Sequence, residues 1–251
     1  MSTAQPATHQ ALYRACMKEA AAQGRTLMKR LIARAAEIMP QRAAHAPDMA
    51  ERTLMTEAVR ALMKMESVLC EAYPQALLAE FAQAIAGDTR KAGTLNFDSL
   101  ELMGDDEVQE GVELVRTQQA VMLAVEAELT QLNALVCAVQ GLKSVQVERN
   151  PLRPEIYVRA LRNMLQDMPI QRTVRTRWLH SLGEAMGPEL AQVYRELSSM
   201  LRSEGVSEAS FKITPMAQSP AVTAAAAADA VRQLLSLPSN LSQNPTRSTS
   251  A

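Results

Sequence analysis

Aromatic residues are scarce in this chain of 251 residues. Phe, Trp and Tyr make up 3% of the sequence, although 47% of its residues are apolar. The interior must therefore be filled mainly by Leu, Met, Ala and Val. Leu, Met and Ala are strong helix formers, whereas most residues that favour strands are few. The composition predicts an all-α fold.

Cysteines, secretion signals and long apolar runs are also lacking. Cys16, Cys70 and Cys137 are odd in number and far apart, which indicates neither a disulfide framework nor a metal site and is typical of buried thiols in a reducing compartment. The amino terminus lacks the charged start and apolar run of a secretion signal. No window approaches about 18 uninterrupted apolar residues. We expect a cytoplasmic protein without a membrane span.

Recognisable catalytic motifs are missing as well. The stretch GDTRKAG at 87–93 contains two glycines, but neither Lys-Ser nor Lys-Thr follows it. His9, His45 and His180 form no ligand pair with a Cys, a His or a carboxylate on one helix face. We therefore predict no enzyme activity, no cofactor and no metal. A helical-bundle enzyme that uses carboxylates among residues 98–113 is the weakest of three functional hypotheses.

Apolar residues recur at helical spacing along much of the chain, which predicts a multi-helix bundle. A first helix from about Ala11 to Met39 is predicted to end at Pro40. A second helix, capped by Asp48, is predicted to be interrupted at Pro74, and a short third one to follow it. The glycines and turn formers of the stretch GDTRKAGTLNFDS then predict a loop.

A long central helix is predicted from about Leu102 to Gly141. Its apolar residues recur at regular helical spacing, which is interrupted once, at Gln118 and Gln119. Its apolar residues are assigned to a single face: Val108, Val112, Val115, Met122, Val125, Leu129, Leu132, Val136 and Val139.

Prolines and glycines mark the predicted boundaries of the remaining helices. Pro154 suits the first turn of a helix, because its missing N–H is not needed there. A further helix is predicted to open at Met168, to be separated from a last one at Gly187 and Pro188, and that last helix to close at Gly205.

Composition divides the chain into three parts. Residues 1–95 are predicted to form an N-terminal helical segment, and residues 96–210 a helical core. Residues 211–251 are rich in Ser, Thr, Ala, Pro, Asn and Gln, which predicts a low-complexity tail that is mostly disordered. A short binding motif around Leu234, Leu235 and Leu237 is an alternative interpretation of that tail.

Net charge is −1, which excludes a protein whose whole surface binds polyanions. A local basic patch is still compatible with this charge. One basic segment spans residues 149–177. Its arginines, with an aromatic neighbour, could contact phosphates and stack on bases, or they could be solvated or paired within the fold with the acidic start of the long helix. The candidate polyanion or interaction patch consists of Arg153, Arg159, Arg162, Arg172, Arg175, Arg177 and Trp178.

Three motifs in order carry a resemblance to a known family. They are Asp-Asp-Glu-Val-x-Glu at 105–110, Asn-Pro-Leu-x-Pro-Glu at 150–155, and a closing helix with Leu-x-x-x-Tyr at 190–194 that ends in Gly-Val at 205–206. Over roughly the central 110 residues the chain resembles a proteobacterial family of large helical proteins of unknown function, sometimes labelled thymidine phosphorylase. The resemblance implies an all-helical region and transfers no catalytic residue. The thymidine phosphorylase label finds no support in the sequence.

The favoured hypothesis is a non-enzymatic helical protein that binds another protein, or itself, in a regulatory or scaffold role. The long helix motivates it, since an apolar face beside Met-rich neighbours suits partner contact as well as core packing. The alternative is nucleic-acid binding through the basic segment 149–177.

Overall fold

A computed structural model describes residues 4–87 and 105–210 of the chain. Over these ranges the chain forms helices and no β-strand, so the predicted all-α fold is confirmed. An isolated bridge joins Ser144 to Ser210. The described elements, in order, are α1 (Ala4–His45), α2 (Met49–Ile85), α3 (Asp105–Val139), a 3₁₀ turn (Val147–Arg149), α4 (Pro154–Gln166) and α5 (Arg172–Ser203).

Four of these helices are long. They contain 42, 37, 35 and 32 residues in α1, α2, α3 and α5, so the predicted long helix, α3, is one of four. The described residues form one compact unit. The described residues of both predicted helical segments, 1–95 and 96–210, belong to this unit. The predicted loop at 87–99 and the predicted tail at 211–251 lie almost entirely outside the described residues.

The first two helices pack on the last two. α1 and α2 form a close pair, α1 also contacts α5, and α2 also contacts α4. α3 packs chiefly along α5 and also contacts α4. Burial of apolar residues from all five helices in a continuous core stabilises this bundle far more than the helical propensity of any one segment.

Three predicted helix breaks are wrong. Pro40, Pro74 and Pro188 all lie inside continuous helices. Although a proline removes one backbone hydrogen bond, the apolar stripe of each helix continues on both sides of it. Tyr73 and Leu77, which flank Pro74, are both fully buried. Packing on both sides of the proline therefore keeps the helix in one piece.

The predicted helix ends that rest on capping chemistry are confirmed. The Asp48 side chain accepts a hydrogen bond from the Ala50 N–H and caps α2, and Pro154 is in the first turn of α4. Gly141 and Gly205 follow α3 and α5 with φ of 76° and 78°, a left-handed conformation that glycine adopts without strain.

Candidate functional site

The aromatic member of the predicted arginine patch is a core residue. Trp178 is fully buried, and its indole Nε1–H donates to the Ala58 carbonyl of α2 at 2.9 Å. A ring enclosed in this way presents no face to a nucleotide base. Trp178 instead joins the start of α5 to α2.

Two arginines of the patch pair with acids of α2. Arg159 of α4 donates to the Glu80 carboxylate at 2.5 Å, and the Asn163 amide donates to the same carboxylate at 2.7 Å. Arg177 of α5 lies 2.7 Å from Glu51. The acids that pair with these arginines therefore come from α2. The side chains of 105–110, at the acidic start of α3, are not among those that the structure describes.

The other patch arginines occupy varied positions at the start of α4, along α4 and at the start of α5. Arg175 is half-buried, and its guanidinium donates to the Ile170 carbonyl at 3.4 Å. Arg162 and Arg172 also have interaction partners, and Arg153 is half-buried at the start of α4. The patch is thus divided among separate contacts within the fold. This arrangement lends the nucleic-acid alternative no support, and that alternative stays a prediction.

The Asn-Pro-Leu-x-Pro-Glu motif holds a corner of the fold. Asn150 is fully buried, donates to the Asn133 side chain of α3 at 2.7 Å, and accepts from the Leu152 N–H at 2.9 Å. The Tyr194 hydroxyl of α5 donates to the Leu152 carbonyl at 2.5 Å. Through the hydrogen bonds of Asn150 and Leu152 the motif connects α3 and α5 just before the start of α4, which is a structural role.

His180 is part of a polar cluster that sequence reasoning missed. Its Nδ1 lies 2.5 Å from a Glu113 carboxylate oxygen of α3, and its Nε2 lies 3.1 Å from an Arg42 guanidinium nitrogen of α1. Because a guanidinium can only donate, Nε2 accepts and Nδ1 carries the proton donated to Glu113. Glu184, four residues after His180, accepts from Arg42 at 3.0 Å.

This cluster joins three helices beside a cavity of about 220 Å³. The expectation that no histidine shares a helix face with a carboxylate was wrong, because His180 and Glu184 are one turn apart. The i to i+4 spacing in the sequence was the signal. Among the described residues, however, no group of three His, Cys, Asp or Glu side chains has the arrangement of a metal site. The cluster is an ion-pair network between α1, α3 and α5.

The apolar residues of α3 lie on two faces and not on the predicted single face. Val125, Leu132 and Val136 point into the core, whereas Val112 and Val115 are 43% and 47% exposed. The residues of the predicted face change from exposed to buried at Gln118 and Gln119, where the regular spacing of apolar residues is interrupted. Leu114, Thr117, Val121 and Val125, spaced 3, 4 and 4 residues apart, are the signal that identifies the inner face.

We call the exposed stripe of Val112, Val115 and Leu123 the outer face of α3. Leu123 is 74% exposed, so most of its apolar side chain is in contact with water. An open groove of about 490 Å³ runs beside this stripe. It is lined by Val115, Gln118, Gln119, Met122, Leu123 and, from α4, Glu155.

The outer face also accounts for the high hydropathy of α3. By length and apolarity alone, Gly111–Val139 is the one segment of the described residues that could cross a membrane, with a mean hydropathy of 1.4. Half of its most apolar window is buried inside the protein. Apolar side chains on both the packed and the open faces raise its hydropathy.

A family model described as "Protein of unknown function (DUF1631) N-terminal domain" matches 8–205 of this chain. Searches of curated proteins and of solved structures find no match. The family match extends the resemblance beyond the central 110 residues to α1 and α2. Because it covers most of the sequence, the chain belongs to this family.

Proposed function

We propose that this member of the DUF1631 N-terminal domain family is a non-enzymatic cytoplasmic protein that binds another protein through the outer face of α3. The exposure of Leu123, together with Val112 and Val115, carries the proposal. Isolated apolar side chains on a surface are ordinary, but a stripe along one helix beside an open groove is typical of an interaction surface.

The energetics of the outer face support a docking role. Each Å² of apolar surface removed from water stabilises a complex by about 25 cal/mol before the costs of association are subtracted. Leu123 keeps most of its surface exposed on folding and Val115 about half, so apolar area on both side chains is left for a partner to cover. The groove between the stripe and Glu155 adds a concave surface that a ridge of side chains can fill.

The state of the nucleophilic and acidic groups supports a non-enzymatic role. Burial, followed by the nearby Glu19 carboxylate, raises the pKa of the Cys16 thiol to about 12, which keeps it uncharged and weakly nucleophilic near neutral pH. The buried acid Glu80 is paired with Arg159, and the buried acid Glu189 with Arg30 of α1 at 2.8 Å. Paired buried acids suit structure more readily than general acid or base work.

Photo-crosslinking tests the docking surface directly. A benzophenone amino acid replaces Leu123 in the full chain, and a matched control chain carries it at Leu78 of α2, which is 41% exposed. We expect a discrete adduct with one identifiable protein at position 123, lost when Val115 is changed to Asp, and no such adduct at position 78. Equal labelling at both positions, or none at either, would remove the basis of the proposal.

A further inference from the structure

The exposed side of α3 has the residue spacing of a surface that pairs with a second helix. A line of six exposed side chains runs along it at alternating steps of four and three residues: Val112, Arg116, Gln119, Leu123, Glu126 and Thr130. This alternation is the heptad spacing, which keeps contact residues facing a second helix turn after turn. The line extends over about 27 Å at the rise of an α-helix. We call these six residues the seam of α3.

Two opposite charges on the seam lack partners. The Arg116 and Glu126 side chains are exposed, and neither forms an ion pair with a residue in the described ranges 4–87 and 105–210. They are about 15 Å apart along α3, which is too far for them to pair with each other. A second α3 aligned in the parallel direction would place like charges opposite each other, whereas an antiparallel one places each arginine opposite a glutamate. The charges therefore favour an antiparallel second copy.

One antiparallel register pairs the whole seam with a second seam. When the two-fold axis of the pair passes beside position 121, residues at equal distances before and after 121 face each other across the two copies. Arg116 then faces Glu126 of the second copy, and Gln119 faces Leu123 of the second copy. The two ends of the seam also face each other. Every residue of the seam thus has a counterpart, and an Arg–Glu pair forms on each side of the axis.

Apolar side chains lie at the centre of this register. Leu123, Ala120 and Met122 are all within two residues of position 121. Leu123 is 74% exposed, Ala120 is exposed and Met122 is half-buried, so each keeps surface that a second copy can cover. Met122 and Leu123 also line the open groove, which offers a concave surface to the α3 ridge of a second copy. An apolar centre with charged pairs around it is the usual composition of a protein interface.

We propose that two copies of this chain pair through antiparallel α3 helices, with Leu123 near the two-fold axis and an ion pair between Arg116 and Glu126 of the other copy on each side of it. The inference rests on the proposed function and names the protein that the outer face binds, a second copy of the chain. The contact involves one helix from each copy and few large apolar side chains. We therefore expect reversible pairing with a dissociation constant in the micromolar range, and monomers in dilute solution.

Reversal of the two charges, separately and together, tests the pairing. Sedimentation equilibrium at micromolar concentrations measures self-association of the full chain, of Arg116→Glu, of Glu126→Arg, of the double variant, and of an equimolar mixture of the two single variants. The matched control is Lys64→Glu, which reverses an exposed charge of α2. Circular dichroism checks that each chain is folded.

We expect each single reversal to weaken self-association at least about tenfold, because both ion pairs of the dimer become pairs of like charge. The mixture should associate as tightly as the wild type, since every glutamate of one variant then faces an arginine of the other. The double variant should associate equally well, and Lys64→Glu should have no effect. Arg116 also borders the cavity beside His180, so recovery in the mixture separates lost pairing from a disturbed fold.

Three outcomes would overturn the inference. They are a wild-type chain that is monomeric at every concentration, single reversals that leave self-association unchanged, and a mixture that associates no better than its two components. The crosslink at position 123 decides the docking role separately. An adduct with a different protein, from a chain that does not self-associate, would leave the docking role standing without the second copy.

Discussion

The two faces of α3 differ in surroundings more than in composition. Leu123 is 74% exposed, whereas Val125, two residues later, is fully buried against the core. Val112 and Val115 are as apolar as Val121 and yet face solvent. Apolar residues make either face of α3 suitable for burial. The positions of the neighbouring helices decide which of the two faces is covered.

Close backbone approach explains why α5 covers only one face. A Cβ added at Gly183 would lie 2.5 Å from the Thr117 side chain, and one added at Gly187 would lie 2.6 Å from the Ala124 Cβ. Small residues at these positions let α5 lie directly on the inner face of α3. The outer face is turned away from α5, and its stripe is left open.

The largest expected effect comes from placing the same charge on both faces. Val125→Asp buries an unpaired carboxyl group, so we expect the free energy of unfolding to fall by at least about 5 kcal/mol and the chain to be largely unfolded. Leu123→Asp should change it by less than about 0.5 kcal/mol, because the side chain remains in water. Urea denaturation followed by circular dichroism measures both. Similar losses would show that both faces are packed.

High pH should destabilise the packed core, because three tyrosine hydroxyls are buried in it. Burial raises the pKa of Tyr73, Tyr157 and Tyr194 above the ordinary tyrosine value of 10.0. These hydroxyls stay neutral in the folded chain but ionise in the unfolded chain, so their contribution is complete below pH 10 and is lost as the pH rises toward the folded pKa. The loss is about 1.4 kcal/mol per pH unit and group.

The measurement compares two signals during alkaline titration. Tyrosinate absorbance from the buried hydroxyls should appear together with the loss of helical circular dichroism, in one transition above pH 10. Ionisation of all tyrosines near pH 10 with helicity retained would contradict the burial of this cluster.

Removing acids of α2 extends the comparison to packed and open ion pairs. The Glu80 and Arg159 side chains are 5% and 17% exposed, whereas Glu51 and Arg177 are 26% and 37% exposed. Glu80→Ala leaves a guanidinium and the Asn163 amide without their acceptor, so we expect a loss of about 3 kcal/mol. Glu51→Ala should cost about 1 kcal/mol or less. Chemical denaturation of both variants tests this, and equal losses would refute the distinction.

The smallest expected effect is the change in stability when a glycine is replaced by alanine. It should have opposite signs at two glycines. In Gly187→Ala, the new methyl group meets Ala124, whose Cβ cannot rotate away, so we expect a net loss of about 1 to 2 kcal/mol. A Cβ at Gly111 meets nothing within 4 Å, and Gly111→Ala should gain up to about 1 kcal/mol from helix propensity. Thermal unfolding of both variants measures the two shifts. A gain in both would mean that α3 and α5 can separate without loss.

Local chemistry made several features predictable. Asp48, Pro154 and Gly205 are at the helix boundaries expected of them, because a cap or a left-handed turn depends on a few neighbouring atoms. The prediction failed at Pro74 and Pro188. A proline weakens a helix locally, but burial of the stripe on both sides outweighs that loss.

The candidate site was less predictable than the fold. The basic segment was visible in the sequence, but Glu80 is 79 residues from its partner Arg159 and Glu51 is 126 residues from its partner Arg177. The groove depends on Glu155 of α4 lying beside Leu123 of α3, and neither residue is unusual within its own helix.

The sequence by itself determined that this protein is helical, where its caps and glycine stops lie, and that it resembles a helical family. Helix propensity, capping and apolar periodicity are short-range properties, so they can be read along the chain. The tertiary structure alone decided which face of α3 is buried, which acids pair with the arginines, and which carboxylate borders the open groove. Each of these depends on contacts between distant segments, where close packing admits one neighbour and excludes another.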